Sequence, residues 1–530
     1  MTKEITRASF IATGAAAAAA TVAASVAVAD EPTPGPVWDY ETDLVVVGSG
    51  MGGFSAAIAA AEKGVRVIMV ERSRHTGGST SYCGGGIHVL ASGTTPEGYD
   101  AFTQYLCHTE LGHTYIQDFE PWCDWLFDIG AAVVDATVKP AGFTGPMIWM
   151  GEEEGLGCRG PRQCFDSLME IFADEGGTLL TQTTANQVLV DDEGKVVGLK
   201  CHDVDGKTLR IGAKAVVLAC GGFQGDPELR ARYLGYQADM ATVHAVPYHN
   251  GAGMRMAQQV GASLAGSMGS FSATLAAAWP AKEFEEYPED FEAREYVDGD
   301  DGIYWLYSEH IDYIPSDGVF LNLDGKRFVD EGEQWYRPIQ AVSRQKRSTV
   351  VLVCDKPAWD AWTGMSADGA YFTIGDQIEK VLCGDKVGGK VYTADTLEDL
   401  ADQLEASGIA THMMNKSAFL KTMAEYNAAV EAGEGASLDV PRKLGSQHAI
   451  TEPPFYAFPC RPAIYATWGG VAINTRAQVL DINREVIPGL YAACPTAGGV
   501  MREIYTGAVG MAGVTGWWAG KAVAEDLANL

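Results

Sequence analysis

An α/β fold built on a parallel sheet is what this sequence predicts, and three observations predict it. An apolar tetrad, Leu44-Val45-Val46-Val47, runs directly into Gly48-Ser49-Gly50-Met51-Gly52-Gly53. A small-residue stretch from Phe54 to Lys63 follows and closes on Gly64. A second strand-like run, Val65 to Val70, then ends on Glu71.

Each piece has a physical reading. A tetrad of uninterrupted Leu and Val suits a strand buried on both faces, as parallel sheets require. The Ala-rich stretch suits a helix that packs closely on that sheet, and Gly64 is placed to end it. Strand, helix and strand make a βαβ unit, and the glycines at its first turn carry the spacing of a dinucleotide site. Gly48 allows the tight turn, Gly50 lets a pyrophosphate approach the backbone, and Gly53 lets helix and strand pack closely. Met51 and Gly52 complete the turn. The helix N-terminus favours the phosphate charge. Glu71, with Arg72 beside it, is placed to accept hydrogen bonds from ribose hydroxyls.

The 530 residues are too many for one core and suit two domains, one able to interrupt the other. A formal charge of −31 argues against nucleic acid and anionic lipid as partners and reads first as plain solubility, with a basic protein partner as the alternative. Residues 1–29 read as an export signal: Lys3 and Arg7 precede an apolar run from Phe10 to about Val28, and Ala27-Val28-Ala29 fits a cleavage site before Asp30. Thr6-Arg7-Ala8-Ser9-Phe10 resembles a twin-arginine signal with Ala8 at the second arginine. The expected location is therefore extracytoplasmic, periplasmic or at the cell surface. Residues 30–39, with Pro32, Pro34 and Pro36, read as an extended linker. No other apolar run is long enough to span a bilayer. The 11 cysteines are scattered, without a Cys-x-x-Cys pair, so neither a disulfide framework nor c-type haem attachment is expected. The histidines show no zinc spacing, and no metal is expected.

NAD and FAD share the Gly-rich fingerprint, and the next segment chooses between them. In Thr76-Gly77-Gly78-Ser79-Thr80-Ser81-Tyr82-Cys83-Gly84-Gly85-Gly86-Ile87 the chain resembles the fumarate reductase and ketosteroid dehydrogenase flavoproteins, the FAD-dependent oxidoreductase 2 family. The resemblance continues at Ala215 to Phe223, at Asn250-Gly251-Ala252-Gly253-Met254, at Gly318 to Glu331 and at Pro488 to Ala493. It implies a Rossmann-type FAD-binding domain interrupted by an α+β cap domain. Residues 40–270 and 445–530 would form the FAD-binding domain, and 271–444 the cap. It implies that Gly78, Ser79, Thr80 and the backbone of Gly84, Gly85 and Gly86 lie along the flavin and its phosphates. Ala219, Gly221 and Gly222 would do the same at the end of a later strand. Ala508 and Val509 would open a final helix whose N-terminus points at the flavin pyrimidine. Some relatives attach FAD through a histidine; His75 and His88 do not match that position, so FAD is expected to be non-covalent. Three further elements are read from the residues: a hairpin turning at Asp324-Gly325, an amphipathic helix over Ser417–Ala432 ended by Gly433, and an acidic, Trp/Tyr-rich segment from Trp279 to Tyr313.

The resemblance also bears on chemistry. Where fumarate reductases carry two histidines this chain has Tyr465 and Ala466, and Tyr505 stands where they carry a carboxylate-binding arginine. A phenol cannot supply the planar cationic fork that holds a carboxylate. Tyr505-Thr506-Gly507 follows the outline of ketosteroid Δ1-dehydrogenases, in which a tyrosine binds a substrate carbonyl. Tyr505 is thus the principal catalytic candidate, with Tyr336 or Arg337 near the family's proton-donor position. Tyr465, Arg502 and Gly507 are substrate-site candidates, and Arg502 or Arg337 would be available to a monocarboxylate. The implied reaction is hydride exchange between flavin N5 and the β-carbon of an activated C–C bond. Reduction of an enone or another mostly neutral or aromatic substrate is expected, with electrons from a separate carrier such as a cytochrome or a membrane quinol-linked protein. Alternatives are ketosteroid Δ1-dehydrogenation, reduction of fumarate or another unsaturated acid, and flavin electron transfer without a substrate.

Overall fold

Leu44–Val47 and Val67–Val70 are buried along their whole length and pair in parallel, the arrangement that their unbroken apolar composition demands. They sit within a six-stranded sheet in the order Gln478–Leu480, Val486–Ala492, Ala215–Leu218, Leu44–Val47, Val67–Val70, Thr178–Leu180. Every pairing in it is parallel except that of the Gln478–Leu480 edge. The computed structural model describes residues 37–529 apart from 90–94, 108, 138–144, 155–158, 247, 278–309, 312–316, 334–335, 364–390, 408–413 and 446. All the elements named below belong to one compact unit, Asp39–Leu530. The export signal of residues 1–29 and nearly all of the linker and of the Trp279–Tyr313 segment lie outside the described residues.

The first helix, Met51–Ala61, is buried at every position, which explains its lack of a polar face. The last helix, Ala508–Ala528, lies against it. Their approach is close enough that a Cβ on Gly516 would stand 2.0 Å from the Gly52 carbonyl oxygen, so glycine is needed there.

A second sheet is seven-stranded and centres on the long strand Phe455–Thr467. Phe271–Ala277 and Val350–Cys354 flank that strand antiparallel, and Thr242–Val243 joins it in parallel. One face of this sheet builds a separate, smaller core with Leu400, Leu404, Phe419 and Met423. Phe419 and Met423 belong to the helix Lys416–Glu431, capped by the Asn415 side chain, which accepts from the Ala418 amide, and followed by Gly433 at φ +72°.

The expected hairpin at Asp324-Gly325 forms only its turn. Val319–Asn322 pairs with Val350–Cys354, and residues after the turn form no strand. The reason is a buried ionic cluster. Glu331 accepts from the Phe320 amide and from Arg327 Nε and Nη2 (3.1, 2.9 and 2.6 Å), and the fully buried Arg442 stands beside it at 3.5 Å. Side chains tie down the backbone that a ladder would otherwise have held.

Candidate active site

The Gly-rich turn does what its spacing requires. Gly48 adopts φ +101°, a conformation that L side chains avoid, and its amide donates to the Val70 carbonyl at 2.8 Å. The helix begins at Met51 after Gly50, with no side chain capping its first turn, so its leading amides face an adjoining cavity. That cavity has a volume of about 600 Å³. It runs from Gly48–Gly52 to Ala508, Val509 and Ala512 at the start of the last helix, so two helix N-termini open on it.

The three fingerprint glycines differ in what excludes a side chain. A Cβ on Gly48 would lie 2.4 Å from the Ala219 carbonyl oxygen, and one on Gly53 would lie 1.9 Å from that of Gly48. A Cβ on Gly50 would meet nothing closer than 3.6 Å. The protein itself forbids side chains at the first two positions. At Gly50 the protein leaves room, on the wall where a pyrophosphate must approach the backbone. This cradle fits a dinucleotide.

Glu71 ends its strand at the cavity wall. The Ser49 amide and hydroxyl donate to one of its carboxylate oxygens at 2.9 and 2.6 Å, and the Ser73 amide donates to the other at 2.8 Å. Its orientation is thereby fixed for the ribose hydroxyls that the fingerprint implies. Arg72 lies over the Tyr248 ring at 4.6 Å. The loop Gly78–Tyr82 is a single 3₁₀ turn, and Ser79 Oγ accepts from the Val246 amide at 3.0 Å.

The opposite end is aromatic. The Tyr505 ring lies 5.9 Å from His88, 6.2 Å from Tyr465 and 6.2 Å from Trp468, and Tyr465 in turn lies 6.1 Å from His244. Tyr465 is aimed by a β-bulge. Ala466 pairs with Ser272 and Ile464 with Ala273, so Tyr465 is the extra residue of the long strand. Gln224 Nε2 takes up its carbonyl at 2.9 Å and also lies 2.7 Å from His249 Nδ1. Burial pushes the Tyr505 phenol up to about 12, partly offset by the Ala508 amide that hydrogen-bonds it. Burial lowers both His88 and His249 to about 4, so these imidazoles are neutral near pH 7. Glu71, Arg72 and Arg255 are the charged side chains among the described lining residues, and Arg255 is held by Asp226 at 2.6 Å.

The depressed pKa of His88 has a consequence for stability. Its unfolded value lies near 6.5 and its folded value near 4, so the unfolded chain binds more protons in between. The contribution of neutral His88 is complete above about pH 6.5 and is lost as pH falls towards 4. Denaturant titrations of the FAD-loaded protein should show this as about 2 kcal/mol between pH 6.5 and 5. The His88→Gln variant should lack that increment of slope; an identical slope in both proteins would contradict the burial argument.

The cavity gathers most of the residues expected from the sequence. Gly48, Gly50, Met51, Gly52, Glu71 and Arg72 line one end. Gly78, Ser79, Thr80, Gly84 and Gly86 line the loop side, and Ala219 and Gly221 the strand end. Tyr465, Tyr505, Ala508 and Val509 line the aromatic end. Others stand behind the wall. Gly53 packs on Gly48, the Gly85 carbonyl accepts from the Met150 amide, and Gly222 packs on Thr467. Gly507 caps the last helix against the His88 carbonyl. Arg502 is not part of the lining, nor is Arg337, which pairs with Glu333 at 3.0 Å and lies 3.9 Å from Glu503. Tyr336 begins the helix Tyr336–Val342, and its side chain lies outside the described residues.

Sequence reasoning passed over His244, His249, Gln224 and Thr274 and weighed His88 only as an attachment point. A signal existed for His249, which stands directly before the Asn250-Gly251 match. None existed for Thr274, whose facing depends on strand register.

The profile of the FAD binding domain family matches residues 43–515. Fumarate reductase (cytochrome) of Shewanella frigidimarina is 27% identical over 478 residues, spanning 86% of this chain and 72% of that protein. Vinyl phenol reductase of Lactiplantibacillus plantarum is 25% identical over 491 residues, spanning 87% and 91% respectively. In fold, the chain is similar to 3-ketosteroid delta1-dehydrogenase from Sterolibacterium denitrificans, with a TM-score of 0.67 at 17% identity over 92% of this chain and all of that one.

Proposed function

Because this chain belongs to the FAD binding domain family and is an FAD-dependent oxidoreductase acting on CH–CH bonds, we propose that it reduces an activated C=C bond in a mostly neutral, aromatic or steroid-like substrate. The observation that carries this reading is the uncharged aromatic end of the cavity around Tyr505, beside the N-terminus of the last helix. A dicarboxylate would need cations there, and the described lining offers none at that end. The relative named for a vinyl phenol, a neutral aromatic alkene, supports the same direction.

Bound FAD would supply the hydride to the β-carbon. The chain would hold it without a covalent bond, with the turn at Gly50 and the first helix receiving the pyrophosphate and Glu71 the ribose. Tyr505 would donate its hydroxyl proton to the substrate carbonyl oxygen, or to the α-carbon of the enolate, while the β-carbon takes the hydride. Its phenol is suited to that role, since burial keeps it protonated and the Ala508 amide fixes its oxygen. Tyr465 and His88 would flank the ring system and exclude water, with Trp468 packed on Tyr505 behind the wall. Tyr336, at the start of its helix, remains the second assignment for proton delivery, and Arg337, held by Glu333 off the cavity wall, does not. In this reading the protein is exported, and electrons come from a separate carrier, to which the acidic chain would present a complementary surface.

Steady-state turnover with reduced methyl viologen tests the proposal. An aryl enone such as benzylideneacetone should be consumed and its saturated ketone recovered, while fumarate should not compete. Consumption of fumarate alone would mean that a cation outside the described lining serves the site. Oxidation of a 3-ketosteroid by an artificial acceptor, without enone reduction, would favour the reverse reaction.

A further inference from the structure

Several buried polar atoms near the aromatic end are left without a partner, among them Gln224 Oε1, Trp468 Nε1 and Thr274 Oγ1, and Thr274 is the one hydroxyl of these that lines the cavity. Thr274 is 2% exposed, its Oγ1 has no hydrogen-bond partner, and it lines the cavity. Buried hydroxyls in native proteins are nearly always satisfied, and leaving one unsatisfied is destabilising. The strand makes the orphan. Thr274 lies opposite Ala463, which has no polar side chain to offer, two residues beyond the bulge that aims Tyr465. Ser272, on the same strand, also has an unpartnered hydroxyl but does not line the cavity. Thr274 therefore points a neutral donor and acceptor at whatever occupies this end.

The surroundings limit what that is. Tyr465, Tyr505 and His88, which line the same cavity, bring apolar rings and, with His88 neutral, no charge. A carboxylate or ammonium group would be buried there without a counter-ion, at a cost that a single hydroxyl cannot offset. A neutral hydroxyl on the substrate can both give and accept a hydrogen bond with Thr274. We propose that Thr274 is a specificity-determining residue: it hydrogen-bonds an uncharged hydroxyl borne on the aryl part of the substrate, remote from the double bond. This rests on the reading that the substrate is a neutral aromatic alkene. Tyr505 serves the activating carbonyl and Thr274 the far end, so the site measures the substrate at two points.

Two probes that differ by that one group test it: benzylideneacetone and its 4-hydroxyphenyl analogue. Binding is read from the perturbation of the flavin absorbance in the oxidised, FAD-loaded protein, and kcat/KM from turnover with reduced methyl viologen. The native protein should favour the hydroxylated enone by about tenfold in both measurements, since a site built for a hydroxyl rejects the analogue lacking it. In the near-isosteric Thr274→Val variant the ratio should fall to about one, and Thr274→Ser should retain most of it. The ratio is read within each variant, so a general lesion in folding would lower both substrates together and leave it unchanged. Equal binding of the two enones by the native protein, or a ratio that survives Thr274→Val, would overturn the proposal while leaving the reductase reading in place. Preferential binding of the hydroxylated enone without reduction of either would keep Thr274 and overturn the reductase reading. No binding of either would overturn both.

Discussion

Replacing Tyr505 by phenylalanine is expected to slow reduction of an aryl enone by a hundredfold or more while FAD remains bound. Positioned acid catalysis contributes roughly 10²–10⁴-fold, and the substitution removes the hydroxyl while keeping the ring that packs against His88, Tyr465 and Trp468. The loss should fall on kcat more than on KM, because the proton matters most in the transition state. The native pH profile carries a second signature. The donor form is the protonated phenol, present below its pKa, and burial has raised that to about 12 from the ordinary value of 10. The rate should therefore show no alkaline fall attributable to Tyr505 up to about pH 11. A loss centred near pH 10 that disappears in Tyr505→Phe would mean that the phenol is solvated and not held as described.

The second large effect separates fold from cofactor. Gly50→Val should yield a folded protein that has lost FAD, whereas Gly53→Ala should fail to give a stable fold. At Gly50 the nearest atoms to a new Cβ are 3.6 Å away, ordinary contact, so only the ligand objects. Crowding of that kind costs about 1–3 kcal/mol, roughly 5–150-fold in affinity, and more where the pyrophosphate cannot shift. At Gly53 the new Cβ would stand 1.9 Å from a backbone oxygen, and the first helix would have to leave its strand. Circular dichroism and flavin content, measured on both variants, check this. Gly50→Val protein with its full complement of FAD would show that the pyrophosphate does not approach this turn.

How far the sequence speaks for the molecule depends on the range of each interaction. The βαβ unit was legible because every signal in it is local: an apolar tetrad, glycines at fixed offsets, and an acid at the end of the next strand. The final helix was legible for the same reason. The hairpin at Asp324-Gly325 was only half legible. Its turn is local, but the second arm is replaced by a cluster in which Glu331 meets Arg442, more than a hundred residues away. Tyr505 was found through its place in a motif, and its neighbour Tyr465 likewise. The bulge that turns Tyr465 inward depends on pairing with Phe271–Ala277, and that register is not written in either strand alone. Thr274 became visible only through the same pairing, and His244 only through the parallel pairing of Thr242–Val243 with the long strand. Arg337 and Arg502 show the converse. Their residue type and place suggested a carboxylate site, but Arg337 is held by glutamates and both stand off the cavity wall.

The central claim is that a neutral, aromatic site around Tyr505 reduces an activated alkene with electrons stored on FAD. Anaerobic photoreduction of the FAD-loaded protein, followed by rapid mixing with benzylideneacetone, a steroid enone, a cinnamate-type acid or fumarate, tests it most directly. Return of the oxidised flavin absorbance with the enones and not with fumarate is the expected result. Rapid reoxidation by fumarate, with the enones inert, would contradict the account and move the search to a carboxylate-binding arginine.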